Sequence, residues 1–158
     1  MIAIRCDYSA MKISLPQIRP AAVTDVSAMF KVRASVGENT MTPAELSAIG
    51  ITPEAIAFAV ESAQCAWVAT VDEEVVGFAM VDLDSACLFA LFVLPEYEGR
   101  GIGTSLTKTC ELALFEQHST AWLETANGSR AAQLYRHLGW GNESEIGGGD
   151  IRLEKQRA

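Results

Sequence analysis

Residues 93–103 read Val-Leu-Pro-Glu-Tyr-Glu-Gly-Arg-Gly-Ile-Gly, and this stretch restricts the fold more than any other. The apolar run before it ends at Val93 and reads as a buried strand, which Pro95 closes. From about residue 101 to 117 the pattern turns amphipathic, with Leu106, Cys110 and Leu114 on one face, and reads as a helix. Three glycines alternating with Arg100 and Ile102 join the two. Glycine adopts positive φ without strain and carries no Cβ to hold a ligand off the backbone. The N–H groups that open a helix are unpaired and carry partial positive charge. Strand, turn and helix together suit a diphosphate. The plain alternative is a glycine-rich turn that binds nothing. A P-loop of the usual form is excluded, because Gly103-Thr104-Ser105 has no Lys before the hydroxyl residues.

The rest of the chain follows from pattern. Residues 1–11 read as an N-terminal extension and residues 12–158 as a single domain. A first strand spans residues 12–19 and ends at Pro20. Thr24-Asp25 is placed to cap a helix carrying Val26, Met29, Phe30 and Val32. Thr42-Pro43-Ala44-Glu45 has capping-box spacing, and Thr52-Pro53-Glu54 repeats the opening ahead of Ile56, Phe58 and Val60. Gly50 separates these two short helices. Residues 65–71, 75–82 and 86–93 form a meander of strands, punctuated by Asp72-Glu73-Glu74 and Asp84-Ser85. After the 101–117 helix come a strand over 120–125 and a helix over 129–138 stopped at Gly139. A last edge strand over 151–154 follows the Gly147-Gly148-Gly149 turn. The order is β-αα-βββ-α-β-α-β: a mixed α/β fold whose central, mostly antiparallel sheet contains one parallel crossover pair.

A dinucleotide-binding turn is the rival reading of the glycines. Gly99-x-Gly101-x-x-Thr104 lacks its third glycine, although Glu124 lies about where a ribose-binding acid would stand. Five residues, 94–98, separate strand from glycines where that turn is tight, and a meander precedes it rather than βαβ units.

Composition narrows the function. The chain is 49% hydrophobic, enough for a core, yet no apolar run reaches membrane-spanning length and the N-terminus lacks a signal-peptide pattern. A cytoplasmic protein with no membrane partner is expected. A net charge of −8 argues against nucleic acid and favours a cationic amine ligand, solubility being the plainer explanation. Cys6, Cys65, Cys87 and Cys110 form no CxxC and stand at no zinc-like spacing from a His, so free thiols and no metal are expected.

The 93–103 stretch resembles the pyrophosphate-binding motif of GNAT acetyltransferases, Gln/Arg-x-x-Gly-x-Gly/Ala, with Gly101 and Gly103 matching and Glu98 in place of the usual Gln or Arg. Leu134-Tyr135-Arg136-His137-Leu138-Gly139-Trp140 resembles the family's Phe-Tyr-x-x-x-Gly-Phe element, with Trp for the final Phe. The resemblance runs from about residue 18 to 153.

It implies a fold and a reaction: acetyl-CoA as acetyl donor, and direct attack by a primary amine of a small molecule or peptide in a ternary complex. The pantetheine arm would lie along Leu91, Phe92 and Val93, one of whose N–H groups would bind the oxyanion. The amides of Gly99, Arg100, Gly101, Ile102, Gly103 and Thr104 would hold the pyrophosphate, with charge from the Arg100 side chain. Tyr135 is the implied general acid. By spacing alone it is equally a core ring, on one helix face with Ala131, Leu134 and Leu138. Glu124 is the candidate general base, sharing a strand face with Trp122. Trp122-Leu123-Glu124 resembles the segment of ribosomal-protein alanine N-acetyltransferases in which such a Glu takes the amine proton. A solvated Glu, with a water relay instead, is the alternative. Asn127 would bond pantetheine amides, or serve its turn. Glu38 lies in the 33–39 segment, which the fold implies as one wall of the acceptor pocket. An acetyl-CoA sensor without turnover is the second functional reading. The acceptor itself is not legible, and a homodimer is left open.

Overall fold

The computed structural model describes residues 14–37 and 41–158. The extension over 1–11, residues 12–13 of the expected first strand, Cys6 and Glu38 lie outside the described residues; that strand begins only at Gln17 and takes in Pro20. The chain runs β1 (Gln17–Pro20), α1 (Val26–Ser35), α2 (Pro43–Ala48), α3 (Pro53–Ser62), β2 (Ala66–Val71), β3 (Glu74–Asp82), β4 (Cys87–Val93), α4 (Ile102–Phe115), β5 (Thr120–Ala126), α5 (Arg130–His137), β6 (Gly141–Gly147) and β7 (Asp150–Gln156). One sheet orders the strands β1-β2-β3-β4-β5-β7-β6. Every junction is antiparallel except β4/β5. This is the expected mixed sheet. A single parallel pair is not the repeated βαβ array of a dinucleotide fold.

Burial explains the layers. Ile102, Leu106, Cys110 and Leu114 recur every four residues along α4 and are at most 2% exposed, so one stripe faces the sheet. Each buried leucine there contributes about 2 kcal/mol by leaving water. Val26, Met29 and Val32 do the same for α1. On β3, Phe78 and Met80 meet Met29 and Ile56 on one face, while Gly77 lies against Ile102 on the other. The sheet is thus sandwiched between α1 with α3 and α4 with α5. The hydroxyls of Thr42 and Thr52 accept from the N–H groups of Glu45 and Ala55 at 3.2 and 3.1 Å, so both short helices open as expected.

Several expectations are corrected. The three expected helical segments do form three helices before β2, one more than the order β-αα-βββ-α-β-α-β counts. Asp25 does not cap α1 with its side chain. A 3-10 turn over Val23–Asp25 intervenes, and the carboxylate accepts from Ala22 N–H while pairing with Arg19 at 2.7 and 2.9 Å. Phe58 is 72% exposed, because positions 56, 58 and 60 do not share a helix face. The expected last edge strand is β7, which is interior, between β5 and β6. The true edge, β6, was not expected. Gly141-Asn142-Glu143-Ser144-Glu145-Ile146-Gly147 is almost wholly exposed and its pairing is irregular, so no alternation marks it.

Candidate active site

The glycine turn forms the upper wall of the site. Gly99 and Gly101 have φ of 75° and 81°, the left-handed region where a Cβ is strained. Gly101 caps α4, and the first helical bond runs from Ser105 N–H to Gly101 C=O at 3.0 Å. The N–H groups of Ile102, Gly103 and Thr104 are therefore left without an intrahelical acceptor. No acidic residue stands in that first turn. Gly103 has a different reason: a Cβ there would lie 3.0 Å from Leu134 Cδ2, so glycine lets α5 close on α4. A second helix opens on the same space. Ser129 caps α5 by accepting from Ala132 N–H at 3.0 Å, and Arg130 and Ala131 line the cavity beside Gly99, Gly101, Ile102, Gly103 and Thr104. That cavity holds about 300 Å³ and continues along Leu91, Phe92 and Val93.

Strand divergence makes the opening. β4 and β5 are in register at one pair, Cys87 with Trp122. Beyond it β4 pairs only with β3, through Leu91, Phe92 and Val93 opposite Ala79, Phe78 and Gly77. The backbone groups that β4 turns toward β5 have no strand partner there. The β3/β4 register also slips between Met80–Ala90 and Val81–Leu88, leaving Phe89 as an extra residue. Such a bulge frees a backbone group and bends the strand.

Tyr135 is buried near Cys87, at the closed end of this fork, and does not line the cavity. It is 4% exposed, its ring is tilted on Trp140 at 6.0 Å, and the thiols of Cys110 and Cys87 are near enough to act on it. Burial, then those thiols, push its phenol above the ordinary value. It stays protonated and can donate. Cys87 is also held as a thiol: burial first, then the Glu124 and Asp82 carboxylates, push it up to about 12. Both groups stay protonated, so neither is a ready nucleophile.

Glu124 is exposed on β5, two residues beyond the Cys87–Trp122 pair and on the Trp122 face. Its cross-strand partner is Arg152, whose guanidinium lies over the Trp122 ring at 4.1 Å and 3.7 Å from Glu154. Arg33, half-buried on α1, lies over Phe92 at 4.6 Å. Two expected ligand residues are placed elsewhere. Arg100 is exposed over the Tyr97 ring at 4.9 Å and does not line the cavity. Asn127 Oδ1 accepts from Arg136 at 2.6 Å. Glu98 pairs with Arg130.

The sequence reading missed Arg130, Ala131 and Leu134 in the cavity wall, and the bulge at Phe89. The [Ser/Thr]-capped start of α5 at Ser129 was the one available signal for the first three. Among the described residues no group of three or more His, Cys, Asp or Glu is arranged to hold a metal, and no helix is long and apolar enough to cross a membrane.

A sheet parted at its one parallel pair, beneath a glycine turn and two helix openings, defines a narrow class of α/β domain. The family model of the acetyltransferase (GNAT) domain matches residues 62–141, just over half of the chain, and the chain belongs to that family. It is 36% identical over 78 residues to the [ribosomal protein bS18]-alanine N-acetyltransferase of Haemophilus influenzae, covering 48% of this chain and 53% of that protein. The chain thus spans about half the length of that curated relative. Its fold is similar to that of PaiA N-acetyltransferase from Thermoplasma acidophilum, solved in complex with coenzyme A, with a TM-score of 0.73, 17% identity, and coverage of 90% of this chain and 99% of that one. The ribosomal-protein-S18-alanine N-acetyltransferase of Escherichia coli gives a TM-score of 0.65 at 22% identity, covering 90% and 94%.

Proposed function

We propose that the protein transfers acetyl from acetyl-CoA to a primary amine by direct attack in a ternary complex. The observation that carries this reading is the parting of β4 from β5 directly below the glycine turn. The residues present fit the donor. Main-chain amides at 102–104 and the opening of α5 suit its pyrophosphate, and the unpaired edge of β4 suits the amides of its pantetheine arm. When bound, acetyl-CoA supplies an activated thioester.

The chain's own groups do the rest. Glu124 takes a proton from the acceptor ammonium or amine, directly or through water, so that a nitrogen lone pair is available. A backbone N–H of β4, at the 91–93 stretch or the Phe89 bulge, stabilises charge developing on the carbonyl oxygen. The N–C bond forms, the C–S bond breaks, and the departing sulfur is met by the Tyr135 hydroxyl. A free thiol has a pKa near ~8.5 and an unperturbed phenol ~10. Because burial raises Tyr135 further, full proton transfer is uphill, and its role is best served as a hydrogen-bond donor to sulfur. Cys87, held as a thiol beside the fork, does not favour an acetyl-cysteine route. Arg136 holds Asn127 Oδ1 and leaves Nδ2 to meet a pantetheine carbonyl, while the Arg100 guanidinium rests over Tyr97 with its N–H donors still able to serve a phosphate.

The Haemophilus influenzae relative supports a peptide amine as one acceptor class, and small amines remain the other. The test is free-thiol release from acetyl-CoA with a panel of peptide and small-molecule amines. Release that depends on the acceptor supports the enzyme. Saturable acetyl-CoA binding with no acceptor-dependent release would assign the protein as a sensor instead.

A further inference from the structure

A second cavity, of about 560 Å³, lies on the sheet face opposite α4, between α3 and the β3–β4 turn. Its floor is Cys87, Phe89 and Trp122, and its rim carries Asp82 and Asp84. It meets β4 at residues 87 and 89, while the first cavity meets β4 at 91–93. Two cavities therefore approach the fork from different ends, as a two-substrate reaction requires. Glu124 stands on the same face as Trp122, two residues nearer the opening.

The lining states what fits. Phe89 is 44% exposed and offers an apolar surface. Two polar side chains of the lining are engaged, leaving the Gln117 amide at one end: Trp122 Nε1 donates to Ser85 C=O at 2.7 Å, and Ser62 Oγ donates to Phe58 C=O at 2.6 Å. A peptide would bring several amides with few partners, whereas an aliphatic chain brings none. Charge sits at the two ends. Asp82 and Asp84 stand at one end, and Glu124 and Glu154 at the other, beside the guanidinium of Arg152. Asp82 accepts from the N–H groups of Asp84 and Ser85 at 3.0 and 3.4 Å, which fixes its carboxylate at the rim. Asp82 pairs with Cys87 and Cys87 with Trp122, so Asp82 is two strands across and two residues down from Glu124. Strand spacing and rise put the two positions about 12 Å apart.

We propose that this groove is the acceptor site, and that it selects an aliphatic amine carrying a second cationic group about 12 Å from the reacting nitrogen. The inference rests on the acetyltransferase reading and deepens it. The experiment compares kcat/KM for 1,8-diaminooctane with that for 1-aminooctane. The diamine is expected to be preferred by about two- to five-fold, the range of an exposed ion pair. The preference falls toward one in high salt, and in the Asp82→Asn/Asp84→Asn double variant. A ratio is read, so partial loss of folded protein does not disturb it, and the salt series needs no variant. A ratio near one in the unaltered protein, or one that survives both treatments, overturns the groove assignment. So does turnover of a basic peptide amine with neither alkylamine used. Saturable acetyl-CoA binding with no amine-dependent thiol release for any acceptor overturns the underlying reading instead.

Discussion

Lys155 Nζ donates to the carbonyl of Leu138 at 2.7 Å and pairs with the carboxylate of Glu111. One cation thus ties β7 to α4 and to the C-terminus of α5, where a positive charge also suits the helix dipole. Glu111 is 7% exposed, so removing its partner leaves a buried charge. Lys155→Met is expected to destabilise the fold by about 3 kcal/mol, read from urea unfolding. Adding Glu111→Leu to it should recover much of that loss, because an apolar pair replaces the orphaned charge. A double variant no more stable than the single one would show that the clamp on Leu138 matters more than the pair.

Tyr135 sits on α5 three residues before that clamp. Tyr135→Phe keeps the ring against Trp140 and removes only the hydroxyl. Turnover is expected to fall by about 10²–10⁴ with coenzyme A affinity unchanged. Because burial raises the phenol, its loss of a proton should give no alkaline limb to the unaltered enzyme's rate profile near neutrality. Turnover unaffected by the substitution would return Tyr135 to the status of a core ring.

Glu124→Gln tests the base. A protein without it reacts only with acceptor that is already deprotonated. The deficit in kcat/KM should therefore be greatest at low pH and shrink as pH nears the acceptor's own pKa. A deficit equal at all pH values would leave proton removal to water.

Asp25 gives a stability prediction independent of catalysis. Its pKa is lowered, chiefly by the hydrogen bonds from Arg19. A depressed carboxylate contributes stability that is fully present above its unfolded value and is lost as pH falls through the folded value. Asp25→Asn should destabilise by about 1–3 kcal/mol at neutral pH. The difference between the two proteins should narrow in the acid range below the ordinary carboxylate pKa. A gap that stays constant down to that range would mean the loss is one of packing.

The sequence was most informative where structure is made by neighbours in the chain. The glycine turn, the caps at Thr42 and Thr52, the α4 stripe and the meander are all local. Trp122 and Glu124 share a face because strand period alone demands it. What escaped reading depends on partners distant in sequence. The parting of β4 and β5 is a pairing that fails to form, and neither strand's residues signal it. Phe89 alternates correctly in sequence, and only the register against β3 makes it a bulge. Strand β6 is solvated on both sides and so carries no pattern. Asp25 has the residue type and position of a cap, and only the approach of Arg19 from β1 draws its carboxylate away.

The central claim is that the cavity under the glycine turn holds acetyl-CoA. Chemical unfolding in the presence of acetyl-CoA tests it most directly, since a ligand that binds only the folded state stabilises it by mass action. At a hundredfold the dissociation constant the gain is expected to be about 2.7 kcal/mol, with coenzyme A producing a comparable shift and NAD none. Stability that does not move in millimolar acetyl-CoA, or that rises equally with NAD, would contradict the account.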